Sequence, residues 1–154
     1  MGAKLELRIP PPIVTLLVML LMYLISRYTM RYYLPYGLDI ILAIIIAGGA
    51  IALAMNAVIA FKKEQTTVNP LQPESTSTLV TRGIFRYSRN PMYLSLAFLL
   101  IAWMLWLSAP LSIVGVVIFV CYMTQFQIKP EERALFELFG QQFSDYCQHT
   151  RRWI

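Results

Sequence analysis

Chemistry-bearing side chains concentrate in two short stretches of an otherwise apolar chain. The first, Thr81 to Tyr93, holds Arg82, Arg86 and Arg89, with Gly83, Tyr87, the Asn90-Pro91 pair and Tyr93. The second, Glu131 to Tyr146, holds the adjacent acids Glu131 and Glu132, then Phe139-Gly140, Phe143 and Tyr146. Arginines present planar, permanently charged donors to a carboxylate or phosphate. Paired carboxylates accept hydrogen bonds from hydroxyl and ammonium groups. Aromatic faces attract a cation. Each feature also has a structural reading. Asn90 is a good N-cap before a first-turn proline, the two glutamates complement a helix dipole, and the arginines can rest on lipid phosphate.

The elements that must position these residues follow from hydropathy. Of 154 residues, 58% are hydrophobic and 14% charged, and mean hydropathy is +0.59. The charges gather between four apolar runs, which points to an all-α integral membrane domain over residues 1–154. Within residues 1–61, helix one is expected from Pro12 to Leu34 and helix two from Leu38 to Phe61. Gly48, Gly49 and nearby alanines give helix two a small-residue packing face. Residues 62–90 form a polar loop that includes the Ser75 to Thr78 cluster. Residues 91–128 form a hairpin, Pro91 to Leu107 and Leu111 to Ile128, closed by Ser108-Ala109-Pro110. In residues 129–154, the spacing of Leu135, Leu138, Phe139, Phe143 and Tyr146 predicts one amphipathic interfacial helix from Pro130 to Tyr146.

The net charge of +5 is topological rather than nucleic-acid-binding, because the basic residues flank apolar spans and form no interleaved stripe. With the N-terminus inside, eleven Lys and Arg residues fall on the inner side and only Arg27 and Arg31 on the outer. That bias predicts cytoplasmic termini and a cytoplasmic loop 62–90, and the compact size without a targeting extension leads to the expectation of a prokaryotic inner membrane. No apolar centre carries a charged residue, which counts against an ion-coupled transporter. Cys121 and Cys147 show no metal or redox spacing, no metal is expected, and His149 reads as a solvated tail residue. A monomer is expected.

The hairpin brings both chemistry-bearing stretches to one mouth, and there the chain resembles the isoprenylcysteine carboxyl methyltransferase family, relatives of the phospholipid N-methyltransferases. The resemblance rests on Gly83, Phe85, Arg86 and Tyr87, then Arg89-Asn90-Pro91-Met92-Tyr93-Leu94-Ser95. After the hairpin it continues through Glu131-Glu132, Leu135, Phe139-Gly140, Phe143 and Tyr146. It departs where the family has His (Asn90) and Gly (Ser95). Asn cannot serve as a base near neutral pH.

The resemblance implies methyl transfer from S-adenosylmethionine to a lipophilic or lipid-modified acceptor, among membrane lipids. It makes Arg89, Asn90 and Tyr93 the catalytic candidates. Gly83, Arg86, Tyr87, Arg89, Pro91, Tyr93, Glu131, Glu132 and Tyr146 become the cofactor-binding candidates. Alternatives are a phospholipid amine N-methyltransferase and a non-catalytic lipid-binding scaffold of the same fold.

Overall fold

Helices account for all regular structure among the described residues, 6–63 and 78–154 of this computed structural model. They are α1 (Pro11–Tyr28), α2 (Leu38–Lys63), α3 (Pro91–Trp106), α4 (Ile113–Met123), α5 (Lys129–Phe139) and α6 (Gln141–His149). Residues 64–77 of the expected loop 62–90, with Ser75 to Ser77, lie outside the described residues. Helix α1 stops six residues earlier than its apolar run suggests. Tyr32 donates its N–H to Ser108 O across the outer mouth (2.8 Å). The following Pro35 holds Leu34 in extended backbone at ψ 148°.

The helices turn apolar surface outward. α1 buries Val14, Thr15, Val18, Met22 and Ser26 on one side and exposes Leu16, Leu17, Leu20 and Leu24 on the other. On α2, Ile40, Ile41, Ile44, Ile45, Ile51 and Met55 are exposed. An apolar belt this extensive is a surface made for hydrocarbon rather than water. Among the described residues, three helices are long and apolar enough to cross a membrane, namely Pro11–Tyr28, Pro35–Lys63 and Pro110–Phe139. The Pro91–Trp106 helix is apolar but has only 16 residues, so length and composition support three of the four expected crossings.

Helix α2 packs chiefly on α3. Its buried seam is Ala43, Ala50 and Ala57, one residue every two turns, and not the glycine pair. Gly48 and Gly49 are exposed, and a Cβ on either would meet nothing within 4 Å. The close approach lies elsewhere. A Cβ on Gly115 would stand 2.3 Å from Met22 Cγ, where α4 crosses α1.

Buried hydroxyls fold back on their own helices: Thr15 on Pro11 O, Ser95 on Met92 O and Thr124 on Val120 O, at 2.6–2.9 Å. That satisfies each polar group without help from water. Between helices, Trp103 Nε1 donates to Met19 O (3.1 Å), and Ser108 donates to the buried Asp39 (2.6 Å) at the outer mouth.

The second half of the hairpin does not end at Ile128. A π turn, Thr124–Ile128, carries α4 straight into α5. Proline at position 130 has no N–H for the carbonyl four residues back. That carbonyl, Phe126 O, instead accepts from Leu7 N–H (3.1 Å). Gln127, fully buried in the turn, donates to Ile9 O (2.8 Å). A widened turn with an outside partner replaces the break that proline would otherwise cause.

The tail predicted as one helix from Pro130 to Tyr146 is therefore two. Its first part extends α4. It breaks at Gly140, whose φ of 51° and ψ of −121° disfavour a side chain, and α6 sets off in a new direction.

Candidate active site

The mouth expected to face inward is assembled from the N-terminal end of α3, the α4–α5 rod and the tail. Before α3, Gly83–Arg86 forms a 3₁₀ turn, with Gly83 at φ 62°. Phe85 is buried from this turn against Ala57 and Val80, edge-on to Phe61 at 5.0 Å. Tyr146 OH donates to Phe85 O (2.6 Å), which docks α6 onto the turn. Burial pushes the Tyr146 phenol up, so it stays a neutral donor.

At the centre two arginines grip one carboxylate. Arg89 Nη2 reaches Glu132 Oε1 at 2.8 Å, and Arg152 reaches Oε1 and Oε2 at 3.0 and 2.6 Å. Arg89 Nη1 donates to Cys147 O (3.2 Å) and Thr150 O (2.7 Å), the carbonyls released where α6 ends. Its Nε is buried with no partner among the described residues. The bonds to Glu132 raise the Arg152 guanidinium further. Burial pushes the neighbouring Cys147 thiol up as well.

The residues around this lock complete the join. Asn90 Nδ2 donates to Arg152 O (2.9 Å), and Arg89 N–H donates to Arg151 O (3.0 Å). Trp153 Nε1 pins the end of the chain to Thr124 (3.1 Å). One step along the helix, Tyr93 donates to Glu131, joining buried α3 to the rod. The two glutamates thus divide their partners. Glu132 takes both cations, while Glu131 makes no ion pair among the described residues.

Of the residues singled out from the sequence, Arg89, Asn90, Tyr93, Glu131, Glu132 and Tyr146 meet in this network, with Pro91 buried behind it. Gly83, Arg86 and Tyr87 stay exposed on the far side of the turn.

An open groove of about 450 Å³ runs beside the lock, lined by Lys129, Glu132, Arg133, Phe136, Glu137 and Phe143. Its volume lies within the range of small-molecule sites. Sequence reasoning identified only Glu132 among these as a ligand residue. Lys129, Arg133, Phe136 and Glu137 repeat at three- and four-residue steps along α5, and none of them was a site candidate in the sequence. The charge alternation within that stripe was the available signal.

The fold and the mouth together define a helical membrane protein with a polar, charge-paired site at one end of its bundle. The chain belongs to the phospholipid methyltransferase family, whose family model matches residues 38–142 and so covers both halves of the lock as far as Glu132. This is a methyltransferase family, a broader assignment than the isoprenylcysteine relatives that the motifs resemble. The chain is also similar to an uncharacterized protein of Haemophilus influenzae, 48% identical over 63 residues. That stretch covers 41% of this chain and the whole of the relative.

Proposed function

We propose that this protein transfers a methyl group from S-adenosylmethionine to a lipophilic acceptor, such as an isoprenylcysteine-like carboxylate or thiol, at the cytoplasmic face of a membrane. The observation that carries the reading is the Arg89–Glu132–Arg152 lock, which joins both motif halves beside a groove of mixed charge. In this reading α3 is the fourth crossing, because its ends contact partners at opposite mouths, Arg152 at one and Asp39 through Ser108 at the other. At the inner mouth Arg8, Lys62, Lys63, Arg82 and Arg86 face Arg27 and Arg31 at the outer, in keeping with cytoplasmic termini.

The donor set fits the cofactor. Lys129 and Arg133 suit its carboxylate, Glu132 and Glu137 its ribose hydroxyls and ammonium, and Phe136 and Phe143 its adenine and sulfonium. When bound, the cofactor supplies a methyl group on a cationic sulfur, which leaves as a neutral thioether when the acceptor attacks in line. The chain's contribution is alignment and exclusion of water. Arg89 acts through Glu132 as a positioning residue. Asn90 holds the tail carbonyl of Arg152 and so replaces the family's imidazole with a structural bond. Tyr93 and Glu131 carry a polar contact inward to where an acceptor in the bilayer would approach.

The test is methyl transfer from labelled S-adenosylmethionine to a membrane lipid extract by the detergent-purified protein. Label in lipid supports the reading. Recovery of that label in headgroup amines would move the acceptor to phospholipids, and no label with retained lipid binding would leave a scaffold.

A further inference from the structure

Two cations line the groove, Lys129 and Arg133. Lys129 Nζ is tied to Gln125 Oε1 at 2.8 Å, while Arg89 and Arg152 spend their donors on Glu132 and tail carbonyls. Arg133 is different. Its side chain is 58% exposed, and its partner is Glu6, from the other end of the chain, at 2.5 Å. Glu6 is not there by accident of a long side chain. The segment Glu6–Pro10 is strapped across the π turn by Leu7 N–H on Phe126 O and by Gln127 on Ile9 O, which fixes where the Glu6 carboxylate falls.

We propose that Arg133 takes the anionic end of the groove's ligand, and that Glu6 is an internal competitor for the same guanidinium. The inference rests on the methyl-donor reading and gives that ligand's carboxylate its partner. Arg89, a cofactor-binding candidate from the resemblance, has no exposed fork left to offer that carboxylate. An exposed ion pair contributes about 0.2–1 kcal/mol, so an entering carboxylate can displace Glu6 readily. The strap then becomes a reporter of occupancy, released when the ligand binds.

Calorimetric titration of the detergent-solubilised full chain tests this with two probes. S-adenosylhomocysteine carries the carboxylate, and 5′-methylthioadenosine lacks it. Glu6→Gln is expected to tighten S-adenosylhomocysteine by about two- to fivefold, the fold-change equivalent of one exposed ion pair, and to leave methylthioadenosine unchanged. Arg133→Gln is expected to weaken the first probe by more than about fivefold and spare the second, with Arg133→Lys in between. An unchanged affinity in Glu6→Gln, or equal losses for both probes in Arg133→Gln, overturns the assignment. Failure of the unaltered protein to bind S-adenosylhomocysteine overturns the methyl-donor reading itself, and this inference with it.

Discussion

Replacing Glu132 with glutamine removes the single negative charge that two guanidiniums share. Three charge-assisted bonds, at 2.8, 3.0 and 2.6 Å, would fall to one amide oxygen facing two cations. Breaking a buried ion pair from one side costs about 3–5 kcal/mol. Here the Arg89 side chain is 12% exposed and that of Arg152 35%, so solvent would relieve part of the loss. A cost of about 2–4 kcal/mol is expected. It would fall on the joint between the bundle and the tail rather than on the whole fold, because the ion-pair partners of Glu132 are Arg152 in the tail and Arg89 just before α3.

Hydrogen–deuterium exchange followed by mass spectrometry reads such a local opening. Peptides from residues 140–154 should exchange about 30-fold faster or more, while those from residues 11–28 should hold their rates. The combined variant Arg89→Met, Glu132→Leu, Arg152→Met should recover only part of the protection, since apolar side chains of similar size need no charge balance but the bonds from Arg89 to Cys147 O and Thr150 O stay lost. Less than a threefold change in the tail, or an equal change in α1, would refute the view that this carboxylate fastens tail to bundle.

Gly115→Ala should lower the thermal midpoint through an overpacking cost of about 1–3 kcal/mol, because the new methyl meets Met22 Cγ and Sδ at 2.3 and 2.9 Å. Gly49→Ala should instead be neutral or stabilising by up to about 1 kcal/mol, as helix propensity favours alanine and nothing lies in its way; a loss of more than that would restore a packing role to the glycine pair. Cys147 should react slowly with a water-soluble maleimide at neutral pH. Its folded thiol is held up chiefly by burial, so the labelling rate should rise at higher pH than for a free cysteine, and Glu132→Gln should speed it by opening the tail.

The order of helices and the meeting of the two motif halves were legible in the sequence, because apolar runs joined only by Ser108-Ala109-Pro110 leave a chain only one way to turn. Arg89 and Glu132, 43 residues apart, meet as that hairpin requires. The continuity of the rod was not legible. Pro130 carries the signature of a helix start, and only a donor far away in sequence, Leu7 N–H, makes a helix interior tolerable there. Gly140 was noted as part of a motif, yet its positive φ, which divides α5 from α6, is a property of the backbone rather than of periodicity. The seam on α2 was misplaced because adjacent glycines attract attention, whereas Ala43, Ala50 and Ala57 announce themselves only once the partner helix is known. The engagement of Arg89 with tail carbonyls was hidden for a similar reason, since those acceptors exist only where α6 ends.

The unbroken passage from α4 into α5 sets the height at which chemistry can happen. Thirty residues, Pro110 to Phe139, at 1.5 Å each make a strut of about 45 Å, against a hydrocarbon slab of about 30 Å. Its charged last third must therefore stand clear of the acyl chains, level with the zone where glycerol and headgroups mix with water. In the proposed reaction, a soluble donor arriving from above and a greasy molecule floating in the leaflet would meet there without either leaving its own solvent.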